Sequence, residues 1–148
     1  MFKNDIKTSI TIHSTPNKIW QELINFKEYK NWNPSIIDIN GELDENKTLK
    51  IVVKIDGKTM IFKPKILKYE ENKELRWLGK IFLSGIFDGE HYFLIKDNND
   101  GTTTFIQGEK FSGILIPFFG KTILNTKKGF EAMNEELKKR VEKTINNQ

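Results

Sequence analysis

Ile6, Thr8, Ile10 and Ile12 alternate with Lys7, Ser9, Thr11 and His13, the period of a half-buried strand. Ser14-Thr15-Pro16 then reads as a helix start, with Thr15 as N-cap and Pro16 in the first helical position. Ile19, Trp20, Leu23 and Ile24 supply the spacing of an amphipathic helix. A second short helix is expected from Phe26 to Trp32, stopped by Asn33-Pro34. Strand patterns follow over 36–43, 49–55, 60–69, 75–82, 87–95 and 103–111, separated by turn residues that include Asp56-Gly57 and Asn98-Asn99-Asp100-Gly101. Pro64 falls inside one of these patterns and predicts a bulge or bend. The closing segment changes period: Phe119, Ile123, Phe130, Met133, Leu137 and Val141 form one stripe of a helix that opens at Pro117. Running to Thr144, it would hold about 28 residues and span roughly 42 Å. Gly120 and Gly129 are expected to interrupt it, permitting a bend or the close approach of a bulky sheet residue.

These elements predict an α+β domain: a seven-stranded antiparallel sheet, mostly hairpin-connected, two short helices between strands 1 and 2, and one long C-terminal helix across the sheet. With 148 residues, no internal repeat and no linker, one domain over 1–148 is expected. No apolar run approaches the roughly 18 residues of a membrane span, and Met1-Phe2-Lys3-Asn4-Asp5 lacks the apolar core of a signal peptide. Cysteine is absent, which removes disulfides, thiolate metal sites and a cysteine nucleophile. A cytoplasmic location is the expectation. The net charge of +4 is spread as single lysines with only two arginines, Arg76 and Arg140, so nucleic acid is not an expected partner.

The order of elements resembles the helix-grip order of the START-like (SRPBCC) superfamily, which includes the birch-pollen allergen, lipid-transfer START domains and polyketide cyclases. Local segments carry the same likeness. Phe26-Lys27-Glu28-Tyr29-Lys30-Asn31-Trp32-Asn33-Pro34 resembles the aromatic-plus-WNP segment of the bacterial branch. The segments 75–79, 85–91 and 109–113 look like its last three strands, and 129–134 resembles its closing helix. The resemblance implies a curved sheet gripping the long helix. Its members include carriers, cyclases, chaperone co-factors and modules of no known role, so the fold transfers more readily than the activity.

Strand parity places Phe93, Phe105 and Phe111 on the inner face together with His91, Gln107 and Glu109. A three-residue loop at 99–101 pairs Ile95 with Phe105, Phe93 with Gln107, and His91 with Glu109. Opposed side chains lie close enough for the imidazole and carboxylate to meet. The pair reads in three ways: a satisfied polar pair inside a cavity, a polar anchor for an otherwise apolar ligand, or a general acid–base dyad. In the last reading Gln107 or Asn134 would orient a carbonyl. Trp32, Phe62, Trp77, His91, Phe93, Phe105, Gln107, Glu109, Phe111, Phe119, Ile123, Phe130 and Met133 are the expected ligand-binding residues. Arg76 and Lys80 fall on the outward parity, which leaves no inward cation to stabilise an enolate. His13 stands alone at a strand end, and His91 faces opposite to Asp88 and Glu90, so no metal site is expected. Neither a Gly-x-Ser-x-Gly elbow nor a phosphate loop occurs, and no cofactor is expected. The reading is a binder of a small hydrophobic or amphipathic molecule, lipid- or polyketide-like, held between sheet and helix. The alternative is a cyclase- or dehydrase-like enzyme using His91 and Glu109.

Overall fold

The alternating start of the chain forms strand β1 (Phe2–Ile12), burying Ile6, Thr8 and Ile12 while Lys7 and Thr11 stay outside. The structure is a computed structural model and describes residues 2–55, 57–81 and 83–146. Helix α1 (Pro16–Ile24) begins as its sequence dictates: Thr15 Oγ1 accepts from the Lys18 N–H at 3.3 Å, and Ile19, Trp20 and Leu23 turn inward. The second helical segment is a 3₁₀ turn (Phe26–Glu28) running into α2 (Tyr29–Trp32). The Tyr29 hydroxyl donates to the Leu23 carbonyl, and full burial pushes its ionisation far above the ordinary tyrosine range, so it remains a neutral donor. Asn33 then reverses the chain. Its Oδ1 accepts from the backbone N–H groups of both Ser35 and Ile36 at 2.9 Å.

The remaining strands are β2 (Ile36–Asn40), β3 (Lys50–Ile55), β4 (Lys58–Phe62), β5 (Lys65–Glu70), β6 (Glu74–Ile81), β7 (Phe87–Asp97) and β8 (Thr103–Gly113). All pair antiparallel, in the orders β1-β8-β7-β6-β5 and β2-β3-β4. Eight strands among the described residues replace the seven expected, because the pattern at 60–69 is two strands. Proline has no N–H to give a ladder, and the chain turns a corner at Lys63-Pro64 instead of bulging. The corner is stitched by its neighbours: Leu49 N–H donates to the Pro64 carbonyl at 2.9 Å, and Ile66 exchanges bonds with Asn46 and Lys47. The two sheets thus continue one curved wall. Ile55 pairs with Lys58 across the β3–β4 turn, where Gly57 has φ +77°; Asp56 of that expected turn and Phe82 lie outside the described residues. The β7–β8 register is the one expected, including His91 opposite Glu109.

The closing helix begins later than its proline suggests. Pro117 belongs to a 3₁₀ turn (Ile116–Phe118), and α3 runs from Gly120 to Asn146, 27 residues or about 40 Å. Gly120 therefore starts the helix rather than interrupting it. Gly129 serves a close approach, and its neighbour is small: a Cβ there would stand 2.9 Å from Ser35 Oγ, which donates to the Gly129 carbonyl. No helix among the described residues is long and apolar enough to cross a membrane.

Side chains between sheet and helix fall into two apolar clusters. The larger holds Ile12, Trp20, Leu75, Phe93, Ile95, Phe105, Met133, Leu137 and Val141, among others. The smaller holds Ile6, Phe111, Ile116, Ile123 and Phe130, with Phe87 packed against it. Replacing Asn33 with alanine leaves two backbone donors at the α2–β2 turn without their acceptor. A loss of about 1–2 kcal/mol in urea-unfolding free energy is expected, and an unchanged midpoint would show the turn to be held otherwise.

Candidate functional site

Between the two clusters lies a layer of buried polar residues contributed by four elements: Thr8 from β1, His91 from β7, Gln107 from β8 and Asn134 from α3. Their hydrogen bonds form a chain whose direction can be worked out from one end. The Thr8 hydroxyl donates to the Gln107 backbone carbonyl at 2.7 Å, so its oxygen accepts from Asn134 Nδ2 at 2.8 Å. Asn134 Oδ1 then faces Gln107 and receives its Nε2 at 2.8 Å; the same amide nitrogen reaches the Phe130 carbonyl at 3.5 Å. Gln107 Oε1 is left to face His91 Nε2 at 2.9 Å, and an amide oxygen only accepts. His91 Nε2 therefore carries a hydrogen. The other ring nitrogen, Nδ1, stands 3.3 Å from Glu109 Oε1. Two lone pairs at that separation repel, so the contact is favourable when one proton is held between imidazole and carboxylate.

The surroundings hold this arrangement still. The imidazole is enclosed by Trp77, Phe93 and Phe130, with ring centroids 5.0, 4.7 and 4.6 Å away. Gly89, beside His91 on the inner face of β7, leaves room for the Glu109 carboxylate: a Cβ there would meet Glu109 Oε2 at 2.1 Å. Asp88 and Glu90 point to the other face, where Asp88 Oδ2 accepts from the Gly85 N–H and Glu90 pairs with Arg76. Among the described residues no three histidine, aspartate or glutamate side chains gather as a metal site.

Beyond this polar layer, toward the start of α3, the wall and helix separate around a cavity of about 580 Å³. That volume lies within the range of small-molecule sites. Its floor is His91, Gln107 and Glu109. Its walls are mainly apolar, drawn from β3 and β4 (Ile51, Val53, Met60, Phe62), from Trp77 and Phe87, and from α3 (Ile123, Phe130). Lys54, Lys58 and Lys80 border it with exposed side chains.

Nine of the thirteen expected binding residues line this space: Phe62, Trp77, His91, Gln107, Glu109, Phe111, Phe119, Ile123 and Phe130. Four do not. Phe93, Phe105 and Met133 are fully buried in the larger cluster, on the far side of the polar layer. Trp32 packs on Tyr29, with ring centroids 5.1 Å apart, against that same cluster. Parity shows which face a side chain takes but not how far along the helix the filled core ends. Gln107 and Asn134 are likewise not free to orient a ligand carbonyl, since their amides are spent on His91, Thr8 and each other. Lys80, on the outward parity as expected and opposite Asp88 in the register, nevertheless borders the cavity near the end of β6. Val53, Ile55, Met60 and Phe87 also line the cavity without being expected there, although alternation with Ile51 and His91 marks three of them as inward. Ser35, brought in by Gly129, had no such signal.

Two substitutions test the polar layer. Gln107→Leu orphans His91 Nε2 and Asn134 Oδ1, so a destabilisation of at least about 2 kcal/mol is expected, together with loss of the fixed Nε2–H tautomer in long-range ¹H–¹⁵N spectra. Gly89→Ala should move the Glu109 carboxylate off His91 while leaving that tautomer in place. A native-like tautomer in Gln107→Leu would show that the ring is oriented by its aromatic neighbours alone.

None of the curated proteins matches the chain by sequence. Among solved structures, the Zhui aromatase/cyclase from Streptomyces superposes with a TM-score of 0.78 at 7% identity, covering 97% of this chain and 96% of that one. A START superfamily protein from Mycobacterium smegmatis gives 0.74 at 19% identity over 95% and 98%. A Thalictrum flavum norcoclaurine synthase point mutant, in complex with a transition-state analogue, gives 0.73 at 11% over 97% and 97%. Identities this low speak to the fold, which is the helix-grip arrangement of the START-like superfamily. The family model described as polyketide cyclase/dehydrase and lipid transport matches residues 3–142, and the chain belongs to that family.

Proposed function

We propose that the protein is a binding module for a small hydrophobic or amphipathic molecule of lipid- or polyketide-like character, held in the cavity between β3, β4, β6–β8 and the first half of α3. The observation that carries this reading is an apolar cavity of about 580 Å³ with one polar pair on its floor. Apolar walls provide affinity through burial, and a few placed polar groups orient the guest. The group turned to the guest is the Glu109 carboxylate, because both ring nitrogens of His91 are engaged. The floor therefore favours a ligand with a hydroxyl, phenol or amine donor at its inner end. A single domain over the whole chain suffices for this function.

A second reading, acid–base catalysis of a cyclisation or dehydration, has one observation in its favour: His91 Nδ1 stands 3.3 Å from Glu109 Oε1 at the cavity floor. In that mechanism Glu109 exchanges the proton with substrate and His91 is its reservoir. Among the described residues no cation lies on the floor beside them to stabilise an enolate; the bordering lysines are exposed at the rim.

Titration with 1-anilinonaphthalene-8-sulfonate, and separately with a long-chain alcohol, is expected to saturate at one equivalent. Val53→Trp, which projects an indole into the cavity from a half-buried strand position, should weaken both by at least about tenfold with little change in Tm. Equal binding by the variant, or no saturable binding by the native chain, would remove the proposal. For the second reading, His91→Ala must abolish turnover of any substrate found; retained turnover would rule it out.

A further inference from the structure

The end of the molecule where the cavity opens carries large apolar side chains turned out to solvent. Phe118 is 80% exposed, Leu83 74%, Ile114 58% and Phe2 57%. They come from separate segments that the backbone draws together. Phe2 pairs with Gly113 at the start of β1, and the Ile114 N–H donates to the Gly85 carbonyl at 3.0 Å, laying the β6–β7 turn beside the end of β8. The Phe118 N–H closes the following 3₁₀ turn on Leu115. Phe119, the next residue, lines the cavity and meets Phe87 at a centroid distance of 5.1 Å. The exposed patch and the mouth are thus continuous.

Charge at this end is mainly positive. A lysine stands within three residues of most of these side chains: Lys3 beside Phe2, Lys80 before Leu83, Lys121 after Phe118. Lys54 and Lys58 complete the border of the cavity. None of these five forms an ion pair with a described residue. The ion pairs of the described residues lie elsewhere, at Glu42–Lys47, in the group 68–76 with Glu90, and around Glu22, Glu28, Glu136 and Glu142, or else on the cavity floor. Of the nearby carboxylates, Asp88 lies across from Lys80 in the β6–β7 register but bonds to the Gly85 N–H rather than to the lysine, and Glu109 faces His91.

We propose that this end docks on an anionic lipid bilayer, with Phe118, Leu83, Ile114 and Phe2 entering the headgroup layer and the unpaired lysines contacting lipid phosphates and carboxylates. Protruding apolar tips ringed by cations match a soft, negatively charged, amphipathic surface. A second copy of the chain fits less well, because a two-fold contact would set the lysines of one protomer against those of the other. A rigid protein partner calls for a contiguous, well-packed face, whereas these tips stand on two connections and the start of the first strand. Docked in this way, the cavity mouth opens toward the bilayer, and a guest passes between them without crossing water. The surface itself is independent of what the cavity holds.

Flotation of the full chain with phosphatidylcholine vesicles, with and without phosphatidylserine, tests the assignment. Binding is expected on the serine-containing vesicles, much weaker on phosphatidylcholine alone, and reduced as salt rises. The Phe118→Ser/Leu83→Ser variant should lose about tenfold in vesicle affinity. Lys3→Glu/Lys121→Glu, at two exposed positions outside the cavity lining, should lose about as much, and only on the anionic vesicles. Both variants change exposed side chains and should retain the native Tm and the uptake of 1-anilinonaphthalene-8-sulfonate. Val53→Trp should do the reverse, floating normally while failing to take up the probe, so the two proposals fail separately. No flotation at low salt, or flotation indifferent to the serine-tip variant, would overturn the membrane assignment. Concentration-dependent dimers abolished by Phe118→Ser, without lipid binding, would give the patch to self-association instead.

Discussion

The hydrogen-bonded layer of Thr8, Asn134, Gln107 and His91 is the constraint on which the rest of the molecule depends. Four buried polar side chains would each cost on the order of 1–3 kcal/mol if left without partners. Here each finds one, and donation runs in a single direction, from the His91 ring to the Gln107 backbone carbonyl. Because the members sit on β1, β7, β8 and α3, satisfying them sets the helix against the sheet at one position along its length. On one side of the layer Phe93, Phe105, Met133, Leu137 and Val141 pack together in the core; on the other the apolar residues enclose a cavity. The layer is both the seam of the core and the floor of the site.

Glycine gives the site its remaining dimensions by what it omits. At Gly89 the missing side chain is the space in which Glu109 lies, and at Gly129 it lets α3 come within hydrogen-bonding distance of Ser35. The outer face of the same sheet follows another rule. There Arg76 lies 4.7 Å over the Tyr92 ring and pairs with Glu74 and Glu90. Burial raises the Tyr92 phenol above its ordinary range against the opposing pull of that guanidinium. Each face thus carries one clamped aromatic–charge assembly, but only the inner one meets a cavity.

Local chemistry was legible in the sequence wherever one residue type decides the geometry. The Thr15-Pro16 cap, the stop at Asn33 and the register that sets His91 against Glu109 follow from capping, turn and parity rules, and they are present in the fold. What was not legible depends on distances between elements. Parity could not tell Phe105, which is core, from Phe111, which lines the cavity, because both face inward six residues apart on β8. Nor could it show that Gln107 is consumed by Asn134, since that bond joins residues 27 apart through the docking of α3. Pro64 announced a disturbance but not its size; whether a proline bulges or breaks a strand depends on which neighbour takes up its carbonyl, and here Leu49 does.

Helix α3 divides its labour along its length. Met133, Leu137 and Val141 belong to the filled core, while Ile123 and Phe130 face the cavity. The residues that keep the protein folded and those that line the cavity therefore occupy different turns of one element. Substitution in the first turns can reshape the cavity at little cost to the half of the core that carries stability. The cavity can consequently diverge among descendants of such a chain far faster than their architecture, many times over on the same backbone.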